Sequence, residues 1–195
     1  MRFKIFKFKN VTSTNDIAVD LIKIEKKEVG YVHADTQTKG RGTRGKKWIS
    51  SAGNLFGTIF FPLKSNYPPF NEFAIINPLI ISNVIKKFCK NKKILFKWPN
   101  DIFINEKKIS GILQEVISYN KKNFLLIGIG INIASSPIIK ENYQTTSIFS
   151  ETKSTPLLKN IIDLIISEYE KFFFNLNKYN FNHFKKKVEQ MALIQ

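Results

Sequence analysis

The sequence has one cysteine and two histidines, and it lacks a long uninterrupted apolar segment. Cys89 alone cannot form a disulfide within the chain, and so few sulfur and imidazole ligands argue against a structural zinc site. Residues 2–8 alternate apolar with basic side chains and have no apolar signal core, and Asn77 and Pro78 break the most apolar stretch, 73–88. We therefore expect a cytoplasmic protein that is neither exported nor bound in a membrane.

Acidic residues are also scarce: the chain has 15 Asp and Glu but 31 Lys and Arg, which gives a formal charge of +16. Such an excess favours phosphate-containing or acidic partners. The basic residues are spread along the chain, however, and the sequence has no basic helix and no ribonucleoprotein motif, which argues against a nucleic-acid-binding protein. The length of 195 residues and the 43% hydrophobic content predict one folded domain.

Hydrophobic periodicity predicts more strands than helices. Strand-like segments occupy 2–8, 29–34, 54–63, 94–98, 102–105, 108–117 and 123–133, and short polar turns between the last four indicate an antiparallel meander. Helices are predicted after the capping segment 13–16, from Asn71 to about Lys90 with an interruption or restart at Pro78, from the Thr155–Pro156 pair to about Leu176, and from Phe181. Residues 134–154 are expected to form a polar connection. The predicted fold class is α+β, a mostly antiparallel mixed sheet with helices packed on it.

The most informative segment, residues 40–48, is rich in glycine and basic residues and reads Gly-Arg-Gly-Thr-Arg-Gly-Lys-Lys-Trp. Three glycines in six positions allow the backbone to adopt positive φ and turn its N–H groups toward an anion. Cationic donors are added by Arg41, Arg44, Lys46 and Lys47. Polar blocks follow at 97–101, Lys-Trp-Pro-Asn-Asp, and at 108–111, Lys-Ile-Ser-Gly. Together these segments predict an active site that holds a phosphate or a carboxylate.

In order and spacing, these blocks resemble the catalytic domain of biotin-protein ligases, and the resemblance covers nearly the whole chain. Its other matching pieces are Ser13-Thr14-Asn15, Gln37, Gly111-Ile112-Leu113 and the segment 128–133. The resemblance implies the biotin/lipoate ligase fold, which is similar to that of class II aminoacyl-tRNA synthetases. It also implies that biotin and ATP, with Mg²⁺, form biotinyl-adenylate, and that a lysine of a biotin carboxyl carrier domain then accepts the biotin.

The resemblance also assigns roles to individual residues. Arg41 and Lys108 are the expected catalytic residues, since they would stabilise charge where the carboxylate meets the α-phosphate. The expected biotin-binding residues are Ser13, Thr14, Asn15, Gln37, Gly40, Arg41, Gly42, Thr43, Lys108 and Gly111. The expected ATP-binding residues are Arg41, Arg44, Lys46, Trp48, Asn100, Asp101, Lys108 and Asn132, with Asp101 as the candidate metal ligand.

Other interpretations stay open at this point. Ser13 and Thr14 are also typical helix caps, and Asn100 and Asp101 are typical turn residues. A lipoate-protein ligase shares the fold and the adenylate chemistry, although its usual arginine pair followed by three glycines is absent here. A noncatalytic basic protein that grips nucleotides or nucleic acid is the alternative from a different class.

The chain also departs from the family pattern. Thr43 stands where the family usually has another arginine, so we expect the activated intermediate to escape faster. Only 12 residues precede Ser13, which leads us to expect no winged helix and no binding to operator DNA. The small C-terminal SH3-like barrel is expected to be absent, so residues 1–195 would form the catalytic domain alone. The sequence leaves open whether the protein forms a homodimer.

Overall fold

A mixed sheet lies at the centre of the computed structural model, which describes residues 1–139 and 143–192. Its strands are β1 (Ile5–Val11), β2 (Gly30–Gln37), β3 (Leu55–Pro62), β4 (Ile94–Lys97), β5 (Asp101–Ile104), β6 (Lys107–Tyr119) and β7 (Lys122–Ile131). They form one sheet in the order β1-β2-β3-β7-β6-β5-β4. Strands β1 and β2 are parallel, and the other neighbours are antiparallel. The prediction of a mostly antiparallel mixed sheet is confirmed.

Helices cover both faces of this sheet. They are α1 (Thr14–Lys23), α2 (Phe73–Phe88), α3 (Ile148–Thr152), α4 (Leu158–Phe174) and α5 (Phe181–Glu189). The larger core cluster joins α2 and α4 to sheet residues such as Tyr31 and Phe61, whereas a smaller one joins α1 to Val32 and Phe60. Adjacent strand residues therefore face opposite layers, as the two-residue period of a strand requires. Within the described residues, no helix combines the length and apolar character that crossing a bilayer requires.

Two tight turns fix the register of the strands that carry most of the pocket floor. Asn105 and Glu106 join β5 to β6, and Asn120 and Lys121 join β6 to β7; all four residues have positive φ. Two central residues with positive φ define the hairpin turn whose twist matches that of the flanking strands. The resulting register pairs Gly111 on β6 with Gly130 on β7.

The helices differ from the sequence prediction at three places. Pro78 lies inside α2 without interrupting it, because the loss of one N–H donor is outweighed by the burial of flanking residues on both sides. Helix α4 begins at Leu158, after the predicted Thr155–Pro156 start, and has no side-chain cap. The start of α4 is set by its buried face, whose first buried residue is Ile161. The short helix α3 was not predicted within 134–154; the Ser147 hydroxyl caps it by accepting from the backbone N–H of Ser150.

Candidate active site

A cavity of about 720 Å³ lies between the glycine-rich segment and the floor formed by β6 and β7. Of the predicted site residues, all but Gly40 line it, including both candidate catalytic residues, Arg41 and Lys108. Gly40 lies behind the wall: a Cβ there would be 2.6 Å from the Trp48 carbonyl oxygen. Among residues 1–139 and 143–192, the lining contains six basic residues and one acidic residue, Asp101, so this part of the cavity favours anionic ligands.

One end of the cavity is built from neutral polar groups at the start of α1. Ser13 caps this helix by accepting from the N–H of Asn15, as predicted. The Thr14 N–H donates to Gln37 Oε1 at 2.8 Å. The Thr58 hydroxyl lies 2.8 Å from Thr14 Oγ1 and 2.6 Å from Asn15 Oδ1. We call Thr14, Asn15, Gln37 and Thr58 the polar end; it suits a small ligand rich in amide-type donors and acceptors.

The glycine-rich segment folds as a narrow hairpin over the cavity. The Gly42 N–H donates to the Lys46 carbonyl at 2.7 Å, and the Trp48 N–H donates to the Gly40 carbonyl at 2.9 Å. Of the three glycines expected to supply positive φ, only Gly45 does so, at 74°, next to Arg44 at 56°. The prediction for the other two is wrong, because Gly40 is needed for close packing and Gly42 has extended backbone. We call residues 40–48 the loop hairpin.

Arg41 connects the loop hairpin to two other elements. Its Nη1 lies 2.5 Å from Asp16 Oδ1 on α1, and its Nη2 lies 3.1 Å from Glu115 Oε2 on β6. Partial burial by itself lowers the pKa of Arg41, but the hydrogen bonds and charges of Asp16 and Glu115 outweigh it and raise that pKa above its usual value. Arg41 is therefore charged and held by two carboxylates.

Trp48 lies flat on the paired glycines of the floor. A Cβ at Gly130 would be 2.4 Å from Trp48 Cε2, and one at Gly111 would be 2.7 Å from Cζ3. A side chain at either position would displace the indole, so the absence of a side chain at these two glycines lets the ring pack against the sheet. Trp48 also forms part of the cavity wall.

Lys108 marks the cationic end of the cavity. Its Nζ lies 2.9 Å from Asp101 Oδ1, and it sits 5.5 Å from the centre of the Trp48 ring and 5.4 Å from that of Tyr143. The backbone of Lys108 is anchored by hydrogen bonds to Gln144 and Thr146. The side chain is only 14% exposed, so its charge acts in a partly dehydrated place where it is screened less than at the surface.

Asn132 belongs to the cavity lining and carries a buried amide acceptor. Its Nδ2 donates to the Thr146 carbonyl at 3.0 Å. Its Oδ1 is buried and has no hydrogen-bond partner among the residues that the structure describes. A buried acceptor without a partner is costly, so this amide oxygen is a destabilising feature of the site.

The donor set fits a metal ion that arrives with phosphates better than a dedicated metal centre. In the described part of the chain, no group of three His, Cys, Asp or Glu side chains could hold a metal ion. Asp101 offers one carboxylate, which Lys108 and the Asn100 amide already contact. Mg²⁺ usually takes one or two carboxylates and completes its shell with water and substrate phosphates, so Asp101 suits that role.

A family model described as the Biotin/lipoate A/B protein ligase family matches residues 7–132, about two thirds of the chain. The chain belongs to this family. The match runs from β1 through Asn132 and so includes the polar end, the loop hairpin and Lys108.

Individual relatives agree with the family assignment. The chain is 32% identical over 126 residues to the bifunctional ligase/repressor BirA of Escherichia coli, a match that covers 64% of this chain and 39% of that relative. It is 26% identical over 157 residues to the biotin–acetyl-CoA-carboxylase ligase of Paracoccus denitrificans, covering 77% of this chain and 65% of the relative. The chain therefore spans less than two thirds of the length of either curated relative.

Solved structures of this family have the same fold. The biotin protein ligase from Aquifex aeolicus in complex with biotin and ATP superposes with a TM-score of 0.81 at 28% identity, covering 97% of this chain and 78% of that one. The biotin protein ligase from Leishmania major in complex with biotinyl-5-AMP gives a TM-score of 0.79 at 25% identity, covering 97% and 81%. The predicted fold class, including its biotin/lipoate ligase type, is confirmed.

Several residues in or directly behind the cavity wall were missed by sequence reasoning. Thr58 lies in a strand whose sequence is typical of an apolar sheet core. The signal that could have identified it is that it is a polar side chain within an apolar run. Gly130 was noted only as part of a glycine-punctuated strand, although it seats Trp48. Tyr143 and the segment 137–139 also line the cavity, and they come from a connection that carried no recognisable sequence pattern. The roles of the predicted residues in ligand binding stay predictions.

Proposed function

We propose that this chain is an ATP-dependent biotin-protein ligase that adenylates biotin and transfers it to a lysine of a biotin carboxyl carrier domain. The observation that carries the proposal is the pairing of a neutral polar end with a cationic end in one cavity under the loop hairpin. The polar end suits the ureido ring of biotin, and the cationic end suits a carboxylate beside a triphosphate. The reaction would take place in the cytoplasm.

The first step would join two anions. A biotin carboxylate oxygen attacks the α-phosphorus of ATP, the bond to the β-phosphate oxygen breaks, and pyrophosphate leaves. In a partly dry cavity this approach is opposed by charge repulsion, so fixed cations aimed at the developing charge lower the barrier. We expect Lys108 to supply this charge, supported by its position in the cavity lining together with Arg44 and Lys46. Asp101 would hold a Mg²⁺ ion that neutralises phosphate charge.

The second step would release AMP. A neutral lysine amine of the carrier domain attacks the biotinyl carbonyl carbon, the bond from that carbon to the phosphate oxygen breaks so that AMP leaves, and the nitrogen loses a proton to water as the amide forms. The loop hairpin covers the cavity, so it would exclude water from the mixed anhydride until the amine arrives. The carrier domain is the proposed macromolecular partner, whereas the homodimer and the lack of operator binding stay predictions.

The polar end also favours biotin over lipoate. Lipoate carries a dithiolane ring without strong hydrogen-bond donors or acceptors, so it would displace water from the polar side chains of Thr14, Asn15 and Gln37 on the cavity wall without replacing its hydrogen bonds. Each unmatched buried polar group costs about 1 to 3 kcal/mol. We therefore expect biotin to be activated at least tenfold more efficiently than lipoate, since about 1.4 kcal/mol corresponds to a factor of ten.

The test is pyrophosphate release with ATP, Mg²⁺ and either biotin or lipoate. We expect release that depends on biotin and is weak with lipoate. Equal or greater release with lipoate would reassign the substrate, and no release with either acid would leave the noncatalytic binding protein as the better account.

A further inference from the structure

The loop hairpin is fastened to the body of the protein through the side chain of Arg41. Its two terminal nitrogens contact carboxylates from different elements, Asp16 in the first turn of α1 and Glu115 on β6. These partners lie 25 and 74 residues away in sequence. We call Asp16, Arg41 and Glu115 the Arg41 clamp.

Glu115 also contacts the polar end of the cavity. Its Oε2 accepts from Arg41 Nη2 at 3.1 Å and from Asn15 Nδ2 at 2.6 Å. The other amide atom of Asn15, Oδ1, lies 2.6 Å from the Thr58 hydroxyl. One carboxylate oxygen therefore joins the loop hairpin to a side chain of the polar end, and it fixes which amide atom of Asn15 faces Thr58.

The Arg41 clamp and the cationic end of the cavity differ in net charge. Two carboxylates surround one guanidinium, so the clamp carries a net charge of −1, and an anion approaching Arg41 also meets Asp16 and Glu115. Lys108 differs because it forms an ion pair with one carboxylate, that of Asp101, so this pair has no net charge. This difference favours a mechanical role for Arg41, in which it holds the hairpin, over direct stabilisation of the reacting phosphate.

A purely local role for Asp16 does not explain the arrangement. An acidic residue in the first turn stabilises a helix N-terminus, and Asp16 also accepts a hydrogen bond from Thr12 at 3.3 Å. That role makes no use of Glu115, which comes from β6 and reaches the same guanidinium. The convergence of two elements on one side chain of a third points to fastening of the hairpin.

We propose that Asp16 and Glu115 are positioning residues that hold the loop hairpin closed through Arg41, and that Glu115 at the same time orients Asn15 for the ligand. The functional consequence rests on the proposed function: a loosened hairpin would weaken retention of biotin and of its adenylate, while Lys108 would still perform the chemistry. Loss of Glu115 should therefore affect ligand binding more than loss of Asp16, because it disturbs both the hairpin and the polar end.

The test measures the hairpin directly. Hydrogen exchange of the Gly42 and Trp48 amides, which close the hairpin by bonding to Lys46 and Gly40, reports its opening. Asp16→Asn and Glu115→Gln are each expected to raise these exchange rates about 1.5- to 5-fold, a range set by partly exposed charge pairs. Asp163→Asn, which removes an exposed ion-paired carboxylate on α4, is the matched control and should change neither rate.

Kinetics supply the second measurement. We expect KM for biotin to rise about 3- to 10-fold in both clamp variants, more in Glu115→Gln, with kcat within about twofold of wild type, as loss of a binding contact predicts. Unchanged exchange of both amides in both variants would overturn the proposal, as would a fall in kcat at constant KM. If the wild-type chain releases no pyrophosphate with biotin, the proposed function fails. Amide exchange alone then still tests whether Asp16 and Glu115 hold the loop hairpin closed.

Discussion

Replacing Gly130 by alanine should displace Trp48 and weaken the site without disturbing the rest of the sheet. The added Cβ would lie 2.4 Å from Trp48 Cε2. Carbon atoms in contact prefer about 3.5 to 4.0 Å, so the indole must shift by about 1 Å or more. Such overpacking costs about 1 to 3 kcal/mol. Gly111→Ala, with a closest contact of 2.7 Å and the next at 3.4 Å, should have a smaller effect.

The assay uses the fact that the chain has two tryptophans, Trp48 and Trp98. In a Trp98→Phe background, Trp48 is the sole reporter, and its emission should move to longer wavelength in Gly130→Ala as the ring becomes more exposed. Urea unfolding of the same proteins gives the change in stability.

Gly42→Ala is the matched control for this series. Its Cβ would meet the Lys46 carbonyl at 3.4 Å, an ordinary contact, so emission and stability should stay close to wild type. The expected order of effect is Gly130, then Gly111, then Gly42. Equal emission and equal free energies of unfolding in all three variants would refute the argument that the paired glycines seat Trp48.

Three further predictions concern charge. Lys108→Ala should fold normally by circular dichroism but lose about 10²- to 10³-fold in pyrophosphate release, the usual cost of removing one group that stabilises developing charge; full activity would remove it from the mechanism. Thr43→Arg should slow the release of biotinyl-adenylate about tenfold, which corresponds to 1.4 kcal/mol; equal release rates would count against the expectation of a leaky loop. Burial lowers the pKa of His33, so the unfolded chain binds the proton more tightly, and stability should decline below about pH 6.5 by at most about 1.4 kcal/mol per pH unit. Urea unfolding between pH 7.5 and 5.5 checks this, and His33→Gln with the same pH dependence would contradict it.

Local signals in the sequence were enough to place much of the fold. The Ser13 cap, the apolar run of β3 and the short polar turns of the meander each act through neighbours within a few residues. Their physical causes are steric and local, so they can be recognised from sequence. The same holds for the loop hairpin, whose composition indicated a site for anions.

Features that depend on distant parts of the chain could not be predicted in this way. The start of α4 follows burial against the sheet rather than the Thr155–Pro156 signal, and α2 continues through Pro78 for the same reason. Glu115 looked like one more strand residue until the fold brought it to Arg41. Tertiary packing overrides local propensity at these positions, and only the folded chain shows which charges meet.

The central claim is that one cavity activates biotin and delivers it to a lysine. The most direct test incubates the chain with biotin, ATP, Mg²⁺ and a purified biotin carboxyl carrier domain, and measures the intact mass of the carrier. The account predicts the addition of one biotinyl group, mapped to a single lysine and dependent on ATP. A carrier whose mass does not change, while an established ligase modifies the same preparation, would contradict it.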